Sequence, residues 1–263
     1  TFLDPPAPDA LQAATSRLQR LGLVDDDGLP SDLGRRAARL PVDPPLARLL
    51  LEAEDGAEPD LQADVVDLVA TLSVAGQLTG RSRDEADPDT PDCDATLRIR
   101  ALRGQPIGDR PQRRHAVQEA RRIAKQLRRL LRAPRTDSNH EPDREALAAL
   151  ILRADPSAAF VARRQGFAGD GLRVTLSPDS AVDPEAEALV VLEIRSQRKR
   201  GLKALHQATC ALPVTRRFLA TQGLGEERVG QPRFEGGRLL GLVRRELAGV
   251  LLAEREETLR GPT

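Results

Sequence analysis

The chain has 263 residues, with 40 basic and 40 acidic side chains that cancel formally and 30% of its residues charged. That length can bury a substantial core and suits two domains or three small ones. No apolar run reaches the roughly 18 residues of a membrane span and no signal-peptide pattern opens the chain, so a membrane partner is not expected and the cytoplasm is the expected compartment.

The neutral total conceals a segregation of charge. Residues 1–95 carry 20 acidic and 8 basic residues, residues 96–136 carry 2 and 13, and the remainder carries 18 and 19. A strongly basic block is thus set inside a neutral protein. The chain begins at Thr1 and contains no methionine, so it is expected to be a piece of something longer. Cys93 and Cys210 stand far apart, and with only His115, His140 and His206 beside them they match no metal-ligand spacing. Two reduced thiols are expected.

In chain order, Leu18, Leu21 and Leu23 close an apolar helix, Gly22 offers the left-handed conformation that ends it, and Asp25-Asp26-Asp27-Gly28 makes a turn. Ser31 can cap a second helix that runs through Gly34 and Arg35 to Leu40, where Pro41 stops it. Asp43 can cap a third, with Pro44 at its first position and Leu46, Leu49 and Leu50 as its apolar stripe. A winged helix would also need a short hairpin, placed around Leu23 to Leu29.

Glu52 to Asp60 reads as a turn before a helix carrying Val65, Val66, Leu68, Val69 and Leu72. Residues 76–94, rich in Gly, Pro and acids, read as a flexible loop. Helices resume at Asp94 to Arg103, Pro111 to Arg132 and Pro142 to Arg153. Beyond Pro156 the period changes. Leu172 to Leu176 alternates, Ala188 to Ile194 is an apolar strand, Pro213 to Gln222 reads as an inserted helix, and Arg238 to Leu252 supplies further strands. Helices first and strands later predict an α+β multidomain protein rather than a parallel α/β sheet.

The string from Gly34-Arg35 to Leu40-Pro41, followed by Asp43-Pro44 and Leu46 to Leu50 and preceded by Phe2-Leu3-Asp4-Pro5-Pro6, resembles the segment just after the second RecA-like domain of DEAH-box RNA helicases, in particular the bacterial HrpB type. Asp67 to Ser73 resembles the start of the family's helical ratchet domain, although Val74-Ala75-Gly76 replaces the charged residues that commonly follow. Leu150 to Arg164 is similar to the junction into an OB-like domain, and Phe234 to Glu256 to a late β region.

The resemblance implies a winged-helix-like module over 1–56, a ratchet-like helical domain over 57–155 and an OB-like β domain over 156–263. It also implies single-stranded RNA and the RecA-like domains of the same parent protein as partners. ATP and magnesium belong, on this likeness, to those motor domains, and no cofactor is expected in this chain.

In the basic block, Val117, Ala120, Ile123, Ala124, Leu127, Leu130 and Leu131 recur at helical steps along one side of a helix. Arg114, Arg121, Lys125, Arg128 and Arg132 fall together beside that stripe, and Arg122 and Arg129 widen the basic side. Such a strip can neutralise phosphates without reading sequence. It can equally pair with the acidic first third, and charge alone does not choose. The resemblance favours RNA.

A second cluster, including Arg198, Lys199 and Arg200, follows the Ala188 to Ile194 strand and is expected on a loop of the OB-like domain. The aromatics are Phe2, Phe160, Phe167, Phe218 and Phe234, most of them expected in the core, so base stacking is expected to be minor.

ATP-hydrolysing chemistry finds no sequence here. There is no Gly-Lys pair for a phosphate loop, and Asp84-Glu85-Ala86-Asp87 spells a helicase motif in a polar loop without the apolar strand that such a motif follows. No catalytic residue is expected and the isolated chain should hydrolyse no ATP. The rival readings are a protein-interaction scaffold whose acidic and basic thirds neutralise each other, and a duplex-DNA regulator, disfavoured because the second helix offers a groove only Arg35, Arg36 and Arg39.

Overall fold

Gly22 takes φ +69°, and the chain leaves helix α1 (Pro8–Arg20) through it as its neighbours Leu21 and Leu23 turn inward to 3% and 4% exposure. The Asp25 to Gly28 turn follows, with the Asp25 carboxylate accepting from Leu29 N at 2.8 Å. Val24 and Pro30 then form an isolated antiparallel bridge across this turn. Ser31 caps α2 (Asp32–Ala37), its Oγ accepting from Gly34 N at 2.9 Å. The structure, a computed structural model, describes residues 7–76, 78–81, 93–137, 139–197, 204–230, 233–235 and 238–258.

Gly34 is required by packing. A Cβ there would lie 1.9 Å from the carbonyl oxygen of Leu23, so α2 can cross the preceding turn at this distance only with glycine. Helix α3 (Pro44–Gly56) starts where Pro44 predicts, although the Asp43 side chain makes no capping bond. It runs through Gly56, which shortens the expected turn before α4 (Pro59–Leu72) to residues 57–58.

The chain divides into two compact units, Thr1–Asp89 with Arg98–Asp155, and Thr90–Leu97 with Pro156–Thr263. In the first, α4 is central. It packs on α3, on α6 (Arg114–Leu131) and on α7 (Arg144–Ala154), and is buried on every side from Ala63 to Thr71. Such a helix should be apolar all round. This one carries Asp64 and Asp67 at 1% and 2% exposure. Helix α5 (Asp94–Arg103) has the bounds its sequence predicts.

The second unit holds a closed barrel in the order β1-β2-β3-β5-β4, made by Ala159–Arg163, Gly166–Gly169, Leu172–Leu176, Leu205–Val214 and Ala188–Gln197 respectively. All its pairings are antiparallel except β3 with β5, where Thr175 and Leu176 run parallel to Gln207 and Ala208. A five-stranded closed barrel of this kind is OB-like. Phe160, Phe167, Val174, Leu189 and Ala211 fill it.

Helix α8 (Arg216–Thr221), capped by Thr215, leads to a four-stranded antiparallel sheet. In it β8 (Arg238–Leu247) pairs with β6 (Glu226–Val229), β7 (Arg233–Glu235) and β9 (Val250–Thr258). Its surface is laced by cross-strand pairs such as Arg245 to Glu227 at 2.6 Å and Arg244 to Glu254 at 2.7 Å.

The architecture is therefore α+β, a helical bundle followed by an OB-like barrel. No described helix is long and apolar enough to cross a membrane.

Candidate nucleic-acid interface

Helix α6 buries Val117, Ala120, Ala124 and Leu127, the expected stripe at three- and four-residue steps, against α4. Leu130 departs from the expected stripe and lies 51% exposed. Arg114, Arg121, Arg122, Lys125, Arg129 and Arg132 are exposed along the helix and at its end. Arg132, at φ 52°, occupies the left-handed C-cap position that glycine usually takes.

Arg128 stands apart from the rest of the strip. Its Nη2 donates to the buried carboxylate of Asp67, which also accepts from Arg103 Nε at 2.9 Å. Arg103, at the C-terminal end of α5 and 7% exposed, donates through Nη2 to Asp64 at 2.6 Å and through Nη1 to the His140 carbonyl. His140 Nε2 lies 3.2 Å from the other oxygen of Asp64. Two buried acids on α4 thus bind one arginine from α5 and one from α6. Burying them unpaired would be prohibitive. Burial still dominates at Asp64, holding its carboxyl above the ordinary value of 3.8 despite Arg103 and His140.

The internal-pairing reading therefore holds for Arg128, whereas the side chains of Arg114, Lys125 and Arg132 make no hydrogen bond or ion pair among the described residues. Arg121 donates Nε to the Leu102 carbonyl at 2.7 Å and keeps its outer nitrogens. Arg121, Lys125 and Arg128 come together with Arg103 and Arg135 around a cavity of about 340 Å³. Arg135 belonged to the basic block but not to the expected strip. It lies past the end of α6, where helical periodicity no longer places a side chain. Arg198, Lys199 and Arg200 lie outside the described residues, as do Phe2 and the Asp84 to Asp87 string.

Among the aromatics, Phe160 and Phe167 are barrel core, whereas Phe234 is 76% exposed. Among the described residues, no group of three or more His, Cys, Asp or Glu side chains could hold a metal ion. Cys93 and Cys210 are both buried.

No protein-family profile matches the chain. Over 78 residues, 30% of this chain and 10% of the other, it is 41% identical to a human protein described as ATP-dependent RNA helicase homolog DQX1. Over its whole length it superposes on the E. coli DExH-box NTPase HrpB, with a TM-score of 0.63 and 20% identity. The fold is that of the matching part of HrpB. A second E. coli structure, described as DEAH/RHA helicase HrpB, agrees at a TM-score of 0.58 and 22% identity. The chain spans 28% of each HrpB chain.

Proposed function

We propose that this chain is the nucleic-acid-holding accessory region of an ATP-dependent DEAH-box RNA helicase, gripping single-stranded RNA while RecA-like domains of the same parent protein hydrolyse ATP. The observation that carries the reading is the exposed cationic face of α6, Arg114, Arg121, Lys125 and Arg132, on an HrpB-like fold. Guanidinium and ammonium groups at that spacing bind backbone phosphates and displace counterions without reading bases. Arg198, Lys199 and Arg200 would add a second phosphate-binding cluster after β4. Residues 1–56, 57–155 and 156–263 would act as winged-helix-like, ratchet-like and OB-like parts. Arg128 acts mainly through Asp67, as the residue that fixes α6 on α4.

The test is a salt titration of labelled single-stranded RNA on the purified chain. Four phosphate contacts predict a slope of log affinity against log salt of roughly −3. Reversing Arg121 and Lys125 to Glu should weaken binding and flatten that slope, and an unchanged curve would sink the RNA reading. The pure chain should show no magnesium-dependent ATP hydrolysis, and finding it would overturn the division of labour. A scaffold role has one observation in its favour, the internal pairing of Arg128 and Arg103 with Asp67. It predicts the unchanged curve.

A further inference from the structure

The cavity beside α5 and α6 is lined by Asp67, Arg103, Arg121, Lys125, Arg128 and Arg135, among others. Its charges fall into two layers. In the deeper layer Asp64 and Asp67 are matched by Arg103 and Arg128, and these four cancel formally. Arg121, Lys125 and Arg135 remain, three cations on a wall whose one carboxylate among the described residues, Asp67, is already bound by two arginines.

Arg121 is also poised differently from an ordinary surface cation. Arg121 is fixed by its Nε bond to Leu102 O, and Gly104, at φ +80°, lies so close that a Cβ there would sit 3.4 Å from Arg121 Nη2. Lys125 follows one turn later on the same face. The side chains of Lys125 and Arg135 make no hydrogen bond or ion pair among the described residues. In the wall itself, the Nε of Arg128 is buried with no hydrogen-bond partner, a donor left unsatisfied in a polar, roomy site.

We propose that this cavity binds a phosphate dianion, either the terminal phosphomonoester of a nucleic-acid strand or free inorganic phosphate, held by Arg121, Lys125 and Arg135. Arg128 Nε is placed to donate to it from the wall. A dianion matches the surplus better than a backbone diester does. A diester brings one charge and two free oxygens, whereas a monoester brings a charge of about −1.5 to −2 and three acceptor oxygens. Forked guanidinium groups on two sides can each engage a pair of those oxygens, with the ammonium as a third point. This rests on the basic face described above but does not require RNA to run along it.

The experiment titrates sodium phosphate into the isotope-labelled full chain at fixed ionic strength, following the arginine Nε–H signals. Saturable shifts at Arg121, Arg128 and Arg135 are expected. The double variant Lys125→Ala, Arg135→Ala removes side chains that make no internal bond, so it should fold normally and bind phosphate at least about tenfold more weakly. No saturable shift, or one the double variant leaves unchanged, overturns the proposal.

The source is set by comparing one oligoribonucleotide in 5′-phosphorylated, 3′-phosphorylated and unphosphorylated forms. Tighter binding of a phosphorylated form, lost in the double variant, supports the strand terminus. Equal binding of all three with intact phosphate binding supports the free ion. Unphosphorylated RNA separately tests the RNA reading, so failure of either leaves the other standing.

Discussion

Arg128 on α6 donates to Asp67 on α4 across 61 residues of chain, and through that bond the most basic helix is anchored on a buried acid. Arg103 anchors the same acid from α5. The two arginines should differ in how much they matter. Arg103→Ala removes the one arginine on Asp64, leaving it His140, and one of the two on Asp67, in a site where all three side chains are under a tenth exposed, and should cost about 3–5 kcal/mol. Arg128→Ala leaves Asp67 still bound by Arg103, and its own side chain is 20% exposed, so the loss should be smaller, about 1–3 kcal/mol. Lys125→Ala should stay within about 0.5 kcal/mol of the parent. Urea unfolding of the three variants checks the order, and a neutral Arg103→Ala would refute the anchoring.

Gly34 supplies a prediction whose sign opposes helix propensity. Alanine in place of a helical glycine ordinarily gains up to about 1 kcal/mol. Here its Cβ would meet Leu23 O at 1.9 Å, so α2 must shift off the turn it packs on, at a cost of about 2 kcal/mol or more. Thermal unfolding of Gly34→Ala should show a lower midpoint. A higher one would mean that α2 does not press on that turn.

The same glycine shows what was legible in the sequence and why. Punctuation by local chemistry was readable, because Gly22, Ser31 and Pro44 each fix a neighbour's backbone within a few residues, and the bounds of α5 followed equally directly. The stripe of α6 was readable because its period is local too. What stayed hidden is pairing at long range. Nothing in the sequence near Asp64 and Asp67 announces Arg103 or Arg128 arriving from 36 to 61 residues away.

His206, Gln207 and Thr209 break the apolar run of β5, so its sequence does not announce a strand. Its neighbours β3 and β4 hold it by backbone bonds regardless. Arg35 and Arg36 looked available for a groove, yet Arg36 pairs with Asp55 and Glu54 on α3 at 2.7 and 2.8 Å.

Asp64 and Asp55 should pull stability in opposite directions with pH. Burial raises the Asp64 carboxyl above 3.8, so the folded chain holds that proton more tightly than the unfolded chain. Its contribution is most favourable at low pH and is lost as pH rises from the unfolded value through the raised folded one. Arg36 lowers the Asp55 carboxyl, so that contribution is present above 3.8 and is lost as pH falls through the lowered value. Asp64→Asn removes only the first term. The stability of Asp64→Asn minus that of the parent, from urea unfolding between about pH 4 and 7, should therefore increase with pH. A difference that decreases would mean that Arg103 and His140 outweigh burial.

In the β unit, Asp94 should be the residue whose loss is felt most directly. It is 3% exposed, and its carboxylate accepts from Ala181 N at 2.7 Å, Ser180 Oγ at 2.9 Å and Ala211 N at 3.1 Å. It thereby ties the loop after β3 to strand β5. Asp94→Ala orphans two backbone donors, each costing about 1–3 kcal/mol when left buried. Asp94→Asn keeps the shape and one acceptor oxygen, so it should lose less. Hydrogen exchange gives the readout at the atoms concerned. The Ala181 and Ala211 amides should exchange at least about tenfold faster in Asp94→Ala than in the parent, with Asp94→Asn between them. Equal protection in all three chains would show that these amides find other acceptors, and that the Asp94 carboxylate does not hold this loop to the barrel.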